Sequence, residues 1–264
     1  MKYALTTANL SKSYGKRRAL VGCSLNVPAG SLYCLCGLRG AGKTTLLRIL
    51  CGLQKPTVGS YTILGAHSAS PSLQQARRYV GAVLGTPSLI GRLSAAGNLE
   101  AHARLYGRQA ASQPADILRL TGLAAAGAKP VRNFTLGMRR RLAIGCAVLA
   151  APRLLLLDDP AAGLDPAEVS DVCSLISRIH RAFGTTVLMT ASCPDAIGNL
   201  PTHLGWLNKG ILEGTVEQSG VSATAFPAPC SLAASSDCQP PLAPKKQQLR
   251  KILPQFTMPG EMRS

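Results

Sequence analysis

The sequence has few acidic residues, few aromatic residues and no long apolar run. Its 264 residues include 29 Lys or Arg but only 12 Asp or Glu, a formal net charge of +17, and residues 1–99 contain no acid at all. Such an excess of positive charge attracts the phosphates of nucleotides, nucleic acids or anionic membranes. Aromatic residues make up only 4% of the chain, and none is interleaved with the basic residues in a nucleic-acid-reading motif. Charge alone therefore does not indicate a nucleic-acid partner.

Other absences bear on where the protein works. No segment approaches the roughly 18 uninterrupted apolar residues of a membrane span, and Thr6, Thr7 and Asn9 interrupt any signal-peptide core. The nine cysteines form no CxxC pair, which favours reduced, buried thiols in a reducing compartment. Hydrophobic residues make up 46% of the chain, enough for one large globular domain with a subdomain. We expect a cytosolic protein that a partner could hold at a membrane.

One glycine-rich stretch matches the Walker A pattern GxxxxGK[ST] at every fixed position. It follows an apolar run that predicts a buried strand, Ser31–Cys36, and precedes the amphipathic start of a helix, Leu46–Leu50. In such loops the backbone N–H groups surround phosphates, the lysine adds a positive charge, and the next hydroxyl can ligate Mg²⁺. A chance glycine-rich turn is the alternative, and the flanking segments disfavour it. The predicted nucleotide-binding residues are Gly37, Leu38, Arg39, Gly40, Ala41, Gly42, Lys43, Thr44 and Thr45.

Two carboxylates follow a second apolar run. Four leucines, Leu154–Leu157, precede Asp158 and Asp159, and ligands bind at the carboxyl ends of strands in open α/β sheets. We expect Asp158 to hold Mg²⁺ through water, opposite Thr44, and Asp159 to position an attacking water. The alternative, a strand followed by a polar helix cap, is disfavoured by the glycine-rich loop elsewhere in the chain.

Two further features accompany these motifs. Thr135 is a good N-cap for a helix that continues to about residue 150, and the N–H groups at its start predict a second anion site. Tyr14 lies ahead of the glycine-rich strand, where an aromatic ring can stack on adenine, although a turn or core position is the commoner interpretation. The run Arg139–Arg141 is interpreted as a solvated helix face.

The remaining pattern predicts an α/β fold. We expect a mixed core around the glycine-rich loop, an antiparallel β subdomain near the N-terminus with strands at 3–10 and 19–27, and a helical subdomain at about 86–150. Proline, serine and alanine without periodicity follow from about residue 215. The nucleotide-binding domain is therefore expected at 1–214, and a disordered, basic, proline-rich tail at 215–264.

Together these motifs resemble the nucleotide-binding subunit of an ABC transporter. The resemblance covers residues 3 to about 214. The Walker A motif at Gly37–Thr45, the signature at Phe134–Met138, the Walker B motif at Leu154–Asp159 and the D-loop at Gly163–Pro166 occur in the family's order. The residues LGM in the signature and the sequence of residues 81–100 resemble those of the bacitracin-resistance and lantibiotic-immunity exporters.

The resemblance implies a P-loop ABC ATPase fold that uses ATP and Mg²⁺. It implies a head-to-tail dimer, with itself or another ABC subunit, in which Thr135 and Gly137 of one chain face the ATP of the other. It also implies that Tyr14 stacks on adenine. ATP-driven closure would drive an integral membrane permease from the cytoplasmic face of the cell membrane, exporting a peptide antibiotic or another hydrophobic compound. No specific nucleic acid is expected as a partner.

Three positions depart from the family's pattern. The catalytic glutamate is replaced by Asp159, the switch histidine by Ser192, and the glutamine or glutamate of the Q-loop by Gly85. Asp159 is one methylene shorter, so its carboxylate is withdrawn by about 1.5 Å, and misplacements near 1 Å can lower a rate about 10²-fold. With Lys43, Asp159 and Ser192 as the catalytic residues, we expect good Mg-ATP binding and slow hydrolysis.

The sequence is also compatible with two alternative functions. The altered positions 85, 159 and 192 also suit a hydrolysis-deficient nucleotide-binding partner of an active ABC subunit. The charge of +17 also suits a soluble ABC ATPase acting on DNA or ribosomes. The latter is disfavoured because the sequence has neither a coiled-coil insertion nor a second tandem cassette.

Overall fold

The computed structural model describes residues 1–86, 88–106, 112–192 and 194–218. The strands are β1 (Tyr3–Tyr14), β2 (Arg17–Cys23), β3 (Asn26–Pro28), β4 (Leu32–Cys36), β5 (Val58–Ile63), β6 (Ala66–His67), β7 (Val80–Val83), β8 (Leu154–Leu157), β9 (Thr186–Ala191), β10 (His203–Asn208) and β11 (Ile211–Glu217). The α-helices are α1 (Lys43–Leu50), α2 (Leu73–Arg77), α3 (Ala95–Tyr106), α4 (Pro114–Leu120), α5 (Leu136–Val148) and α6 (Pro166–Phe183).

The N-terminal strands form an antiparallel sheet, as predicted. Its order is β2-β1-β5-β6, with β3 also paired to β1. The strand expected at 19–27 is divided into β2 and β3. The Thr7 hydroxyl donates to the Cys23 carbonyl at 2.9 Å and accepts from the Leu25 N–H at 2.8 Å. These side-chain bonds take the place of ladder hydrogen bonds at the division between the two strands.

A second, mostly parallel sheet positions the candidate site. Its order is β11-β10-β4-β9-β8-β7, and only β11 runs antiparallel to its neighbour among these six strands. Every residue of β4, β8 and β9 is buried, as expected for central parallel strands covered on both faces. Cys36 is in register with Ala191, and Leu157 with Met189. The loops that follow these three strands therefore emerge at one edge of the sheet.

The two long helices that flank the site begin at side-chain caps. The Thr135 hydroxyl accepts from the Met138 N–H at 3.2 Å at the start of α5, which confirms the predicted N-cap. The Asp165 carboxylate accepts from the Glu168 N–H at 2.8 Å at the start of α6, where Pro166 is the first helical residue. Each cap satisfies an N–H group that the helix itself leaves unpaired.

The expected α/β class with its antiparallel sheet is confirmed. Helices α3, α4 and α5 lie within the range proposed for a helical subdomain, and Leu99, Ile117 and Ile144 from these helices share one buried cluster. The division into subdomains stays a prediction, as does the disordered tail. Residues 219–264 lie outside the described part of the chain.

The last strand continues past the predicted boundary at residue 214. Strand β11 ends at Glu217, because Thr215 meets the Tyr33 hydroxyl at 2.7 Å and the Gln218 N–H donates to the Thr202 carbonyl at 2.8 Å.

No helix among the described residues is long and apolar enough to cross a membrane. The cysteines that the structure describes are free, as predicted: Cys23, Cys34, Cys36, Cys51, Cys146 and Cys173.

Candidate functional site

The glycine-rich loop connects β4 to α1, the context that its sequence predicts. Two of its glycines are required by close backbone contacts. A Cβ atom on Gly37 would lie 2.2 Å from the Leu207 carbonyl oxygen, and one on Gly42 would lie 2.3 Å from the Ala19 carbonyl oxygen. Gly42 also has a φ of 110°, a conformation that other residues rarely adopt. No described side chain caps α1, so the N–H groups of its first turn are available to an anion.

Lys43 lies at the centre of the loop. Its side chain is buried, and its ammonium donates to the carbonyl of Gly37, to that of Leu38 at 3.1 Å and to the Ser192 hydroxyl at 3.4 Å. Burial lowers the pKa of Lys43, while the nearby carboxylates of Asp159 and Asp158 oppose that shift. Burial removes part of the hydration of this ammonium, and its hydrogen-bond acceptors are neutral. A bound phosphate would replace the lost hydration with a favourable charge–charge interaction.

Thr44 and Asp158 meet at the start of α1. The Thr44 hydroxyl hydrogen-bonds Asp158 Oδ1 at 3.1 Å and Oδ2 at 2.9 Å. Asp158 is buried, and its Oδ1 also accepts from the Thr190 hydroxyl at 2.9 Å. A buried carboxylate and an adjacent hydroxyl supply the hard oxygen ligands that Mg²⁺ prefers. The residues present therefore fit the predicted metal, which Thr44 and Asp158 would hold.

Asp159 and Ser192 form the next contact. The Ser192 hydroxyl donates to Asp159 Oδ2 at 2.7 Å while it accepts from Lys43. Asp159 has a φ of 46°, which is uncommon for a residue other than glycine, and its N–H donates to the Thr190 hydroxyl at 2.9 Å. The three residues expected to act in catalysis are thus joined by consecutive hydrogen bonds.

These groups line one cavity of about 580 Å³. Of the predicted residues it includes Tyr14, Arg39, Gly40, Ala41, Gly42, Lys43, Thr44, Thr45, Asp158, Asp159 and Ser192, together with the Q-loop position Gly85. Gly37 and Leu38 contribute through their carbonyl bonds to Lys43. The cavity therefore combines groups whose chemistry suits the binding of phosphate and Mg²⁺ and the orientation of a water molecule.

The predicted signature residues are not brought to this cavity. Thr135 and Gly137 do not line it, and the Gly137 N–H donates to the Glu168 carboxylate at 3.2 Å. The Met138 N–H is satisfied by Thr135. The second anion site expected at the start of α5 thus has two of its N–H donors engaged within the chain.

Tyr14 occupies the outer end of the cavity. It is the last residue of β1, its side chain is exposed, and its hydroxyl donates to the Gln54 side-chain carbonyl. The Lys12 ammonium lies 5.2 Å from the centroid of the tyrosine ring. The ring is therefore exposed, which disfavours a core position, and its stacking on adenine stays a prediction.

The interpretation of Arg139–Arg141 as a solvated helix face is wrong. Arg140 is only 7% exposed and lines the cavity, and its Nη1 donates to the Gly85 carbonyl at 3.1 Å. Arg141 forms an ion pair with Asp171 at 3.2 Å. Most positions of α5 are buried, because α5 contacts α3, α4, α6 and β7.

Sequence reasoning also missed Thr190, which bonds both Asp158 and the Asp159 backbone. Gly137, Arg140 and Ile144 have helical spacing and are all buried, but the spacing alone does not show which face of the helix is covered. No comparable pattern marks Thr190, whose role depends on the pairing of β8 with β9. Arg17 and Arg48 are further cavity residues that the sequence did not single out.

Comparisons with known proteins give matches in sequence and in fold. The sequence model of the family described as ABC transporter matches residues 20–162. The bacitracin transport ATP-binding protein BcrA of Enterococcus faecalis is 32% identical over 84% of this chain and 71% of its own length. The lantibiotic transport ATP-binding protein SrtF of Streptococcus pyogenes is 33% identical over 78% and 87%. The dimeric structure of the bacterial ABC transporter cassette MJ0796 superposes with a TM-score of 0.72, at 24% identity, over 82% of this chain and 100% of that one.

Proposed function

The chain belongs to the ABC transporter family as an ATP-binding subunit, and we propose that it hydrolyses ATP slowly to drive a separate membrane permease. One observation carries the proposal. The hydrogen-bonded series of Lys43, Ser192 and Asp159 lies beside the Thr44–Asp158 pair in a single cavity. That arrangement suits phosphoryl transfer to water, for which positioning and electrostatic stabilisation supply most of the rate enhancement.

The proposed mechanism assigns a task to each group. The loop N–H groups and the Lys43 ammonium bind the phosphates, and Tyr14 stacks on the base. Mg²⁺ held by Thr44 and Asp158 would neutralise charge on the phosphate oxygens. Asp159 accepts a hydrogen bond from the attacking water and so directs its lone pair at the terminal phosphorus. The water oxygen forms a bond to that phosphorus while the bond from the phosphorus to the bridging oxygen breaks, and ADP leaves with the electron pair. The proton of the water passes to the released phosphate.

Slow turnover follows from the contact between Asp159 and Ser192. Asp159 is shorter than the glutamate of the family's pattern, and Ser192 holds one of its carboxylate oxygens at 2.7 Å. Ser192 supplies no imidazole toward the terminal phosphate. Misplacement of a catalytic group by about 1 Å can lower a rate about 10²-fold. The site residues are thus intact for binding and altered for hydrolysis.

The partners are proposed from the resemblance and from the position of the signature. A second subunit, identical or homologous, would place its Thr135 and Gly137 against the ATP of this chain, and the structure of the cassette MJ0796 is that of a dimer. Within the described residues these two positions do not line the chain's own cavity, which agrees with a role toward a partner. The permease would hold the dimer at the cytoplasmic face of the cell membrane.

A repaired variant tests the proposed rate limitation. We expect Asp159→Glu combined with Ser192→His to raise ATP turnover by about 10²-fold, because the longer carboxylate and the imidazole restore the displaced groups. Phosphate release by purified wild type and variant at saturating Mg-ATP measures this. Wild-type turnover equal to that of the repaired chain would contradict the account. Tight ATP binding with no wild-type turnover would favour a hydrolysis-deficient partner, which the comparisons do not favour.

Export of a peptide antibiotic or another hydrophobic compound is proposed from the names of the relatives. We expect bacteria that produce the chain with a matching permease to grow at several-fold higher antibiotic concentrations than bacteria with the permease alone. The minimum inhibitory concentration measures this, with the Lys43→Ala chain as the control. Resistance that persists with the control chain would show that the subunit does not power export.

A further inference from the structure

Arg140 is a buried cation that lines the nucleotide cavity. It has no role in the proposed mechanism. Its Nη1 donates to the Gly85 carbonyl at 3.1 Å, and its Nε has no hydrogen-bond partner in the part of the chain that the structure describes. It forms no ion pair with any described acid. A buried guanidinium that lacks a paired anion is unfavourable, so its presence in the cavity calls for an anionic ligand.

The charges around Arg140 indicate where that ligand lies. Burial lowers the pKa of the Arg140 guanidinium, and the carboxylates of Asp159 and Asp158 raise it. Both carboxylates line the same cavity, as do Lys43 and Ser192. Arg140 therefore shares the cavity with the groups that are proposed to hold the attacking water and the terminal phosphate.

Gly85 contacts the guanidinium through its backbone. Its carbonyl holds one nitrogen of Arg140, and the other donors of the planar guanidinium remain to bind a second acceptor. Arginine presents its donors as a rigid fork that matches the oxygens of a phosphate group.

We propose that Arg140 contacts the terminal phosphate of bound ATP from within the same chain. Resting on the proposed ATP site, this assignment makes Arg140 a binding residue that distinguishes ATP from ADP. Its guanidinium would supply a positive charge to the terminal phosphate, which the neutral Ser192 does not. Because α5 begins at the signature, the contact would also connect the terminal phosphate to the helix that faces the partner subunit.

The affinities for ATP and ADP test the proposal without relying on turnover. In the Arg140→Gln chain we expect the ATP affinity in Mg²⁺ to fall about tenfold to a hundredfold, the usual effect of losing a hydrogen bond to a charged group. The ADP affinity should change less than about twofold, since ADP lacks the contacted group. Titration of the purified chains in a calorimeter gives both constants.

A matched control and a second variant separate binding from folding. Arg139 is the preceding residue on α5, and its Nη2 donates to the Arg132 carbonyl at 2.7 Å, so Arg139→Gln removes the same charge outside the cavity. Its ATP-to-ADP preference should equal that of the wild type. If Arg140→Gln does not fold, Arg140→Met decides the matter, because an unbranched apolar side chain of similar length is often tolerated at a buried ionic position.

Two results would overturn the assignment. An unchanged ATP-to-ADP preference in the Arg140 variants would show that no terminal-phosphate contact exists. An equal fall in both affinities would show that Arg140 only attaches α5 to the Gly85 loop. Failure of the underlying function gives a different result, in which the wild-type chain binds ATP no better than the Lys43→Ala chain.

Discussion

Replacing Lys43 with alanine is expected to lower steady-state ATP hydrolysis by about 10²- to 10³-fold, the usual effect of removing one preorganised donor to developing charge. The loss has two physical sources. The ammonium that would bind the terminal phosphate disappears, and so does its hydrogen bond to Ser192, which in turn holds Asp159. Phosphate release at saturating Mg-ATP measures the effect on the purified chain.

The matched control is Lys129→Ala, because Lys129 is exposed and does not line the cavity. Its turnover should equal that of the wild type. The Lys43 variant should also remain folded, since its ammonium bonds to carbonyls and a hydroxyl that stay within reach of water in the cavity. A Lys43→Ala chain that keeps half of the wild-type turnover would show that another site performs the hydrolysis.

Replacing Asp158 with asparagine is the second change expected to have a large effect. The amide oxygen of asparagine can still accept hydrogen bonds from Thr44 and Thr190, so the local fold should persist. The negative charge that would hold Mg²⁺ is lost, and metal stabilisation of a phosphoryl-transfer transition state is worth several kcal/mol. We expect turnover to fall by about 10²-fold or more.

Magnesium titration identifies the cause of this effect. Half-maximal activity of the Asp158→Asn chain should require a much higher Mg²⁺ concentration than that of the wild type, whereas ATP binding in a metal chelator should be similar. Asp171→Asn serves as the control, because the Asp171 side chain is 56% exposed and pairs with Arg141 away from the cavity. Exposed ion pairs contribute only about 0–1 kcal/mol. An unchanged magnesium requirement in the Asp158 variant would remove this residue from the metal site.

The glycine-rich loop and the Asp158–Asp159 pair could be identified from sequence because their function requires consecutive residues of defined types. Gly37 and Gly42 have no room for a side chain, because a Cβ atom at either position would clash with a neighbouring backbone carbonyl. A residue with a hydroxyl must follow Lys43, because that hydroxyl bonds the Asp158 carboxylate. The strands that flank them are short, continuous apolar runs, which parallel sheets require on both faces. In these segments the residues that form the candidate site are neighbours in the sequence, so a local pattern is enough to find them.

The burial of Arg140 and the contacts of Thr190 could not be identified in the same way. Arg140 belongs to a run of three arginines that looks solvated when read alone, and it is buried because three helices and β7 surround α5. Thr190 contacts Asp158 only because β8 and β9 are adjacent and in register. Neither adjacency is encoded in a short stretch of sequence.

The sequence by itself determined the family, the nucleotide loop and the acids that follow β8, because each depends on residue types at fixed local spacing. The tertiary structure alone decided which groups act together. Ser192 lies 33 positions from Asp159 along the chain, yet its hydroxyl donates to that carboxylate at 2.7 Å. Arg140 lies 55 positions from the Gly85 carbonyl that it bonds. The first contact exists because the adjacent parallel strands β8 and β9 bring their carboxyl ends to one edge of the sheet. The second exists because α5 packs against β7.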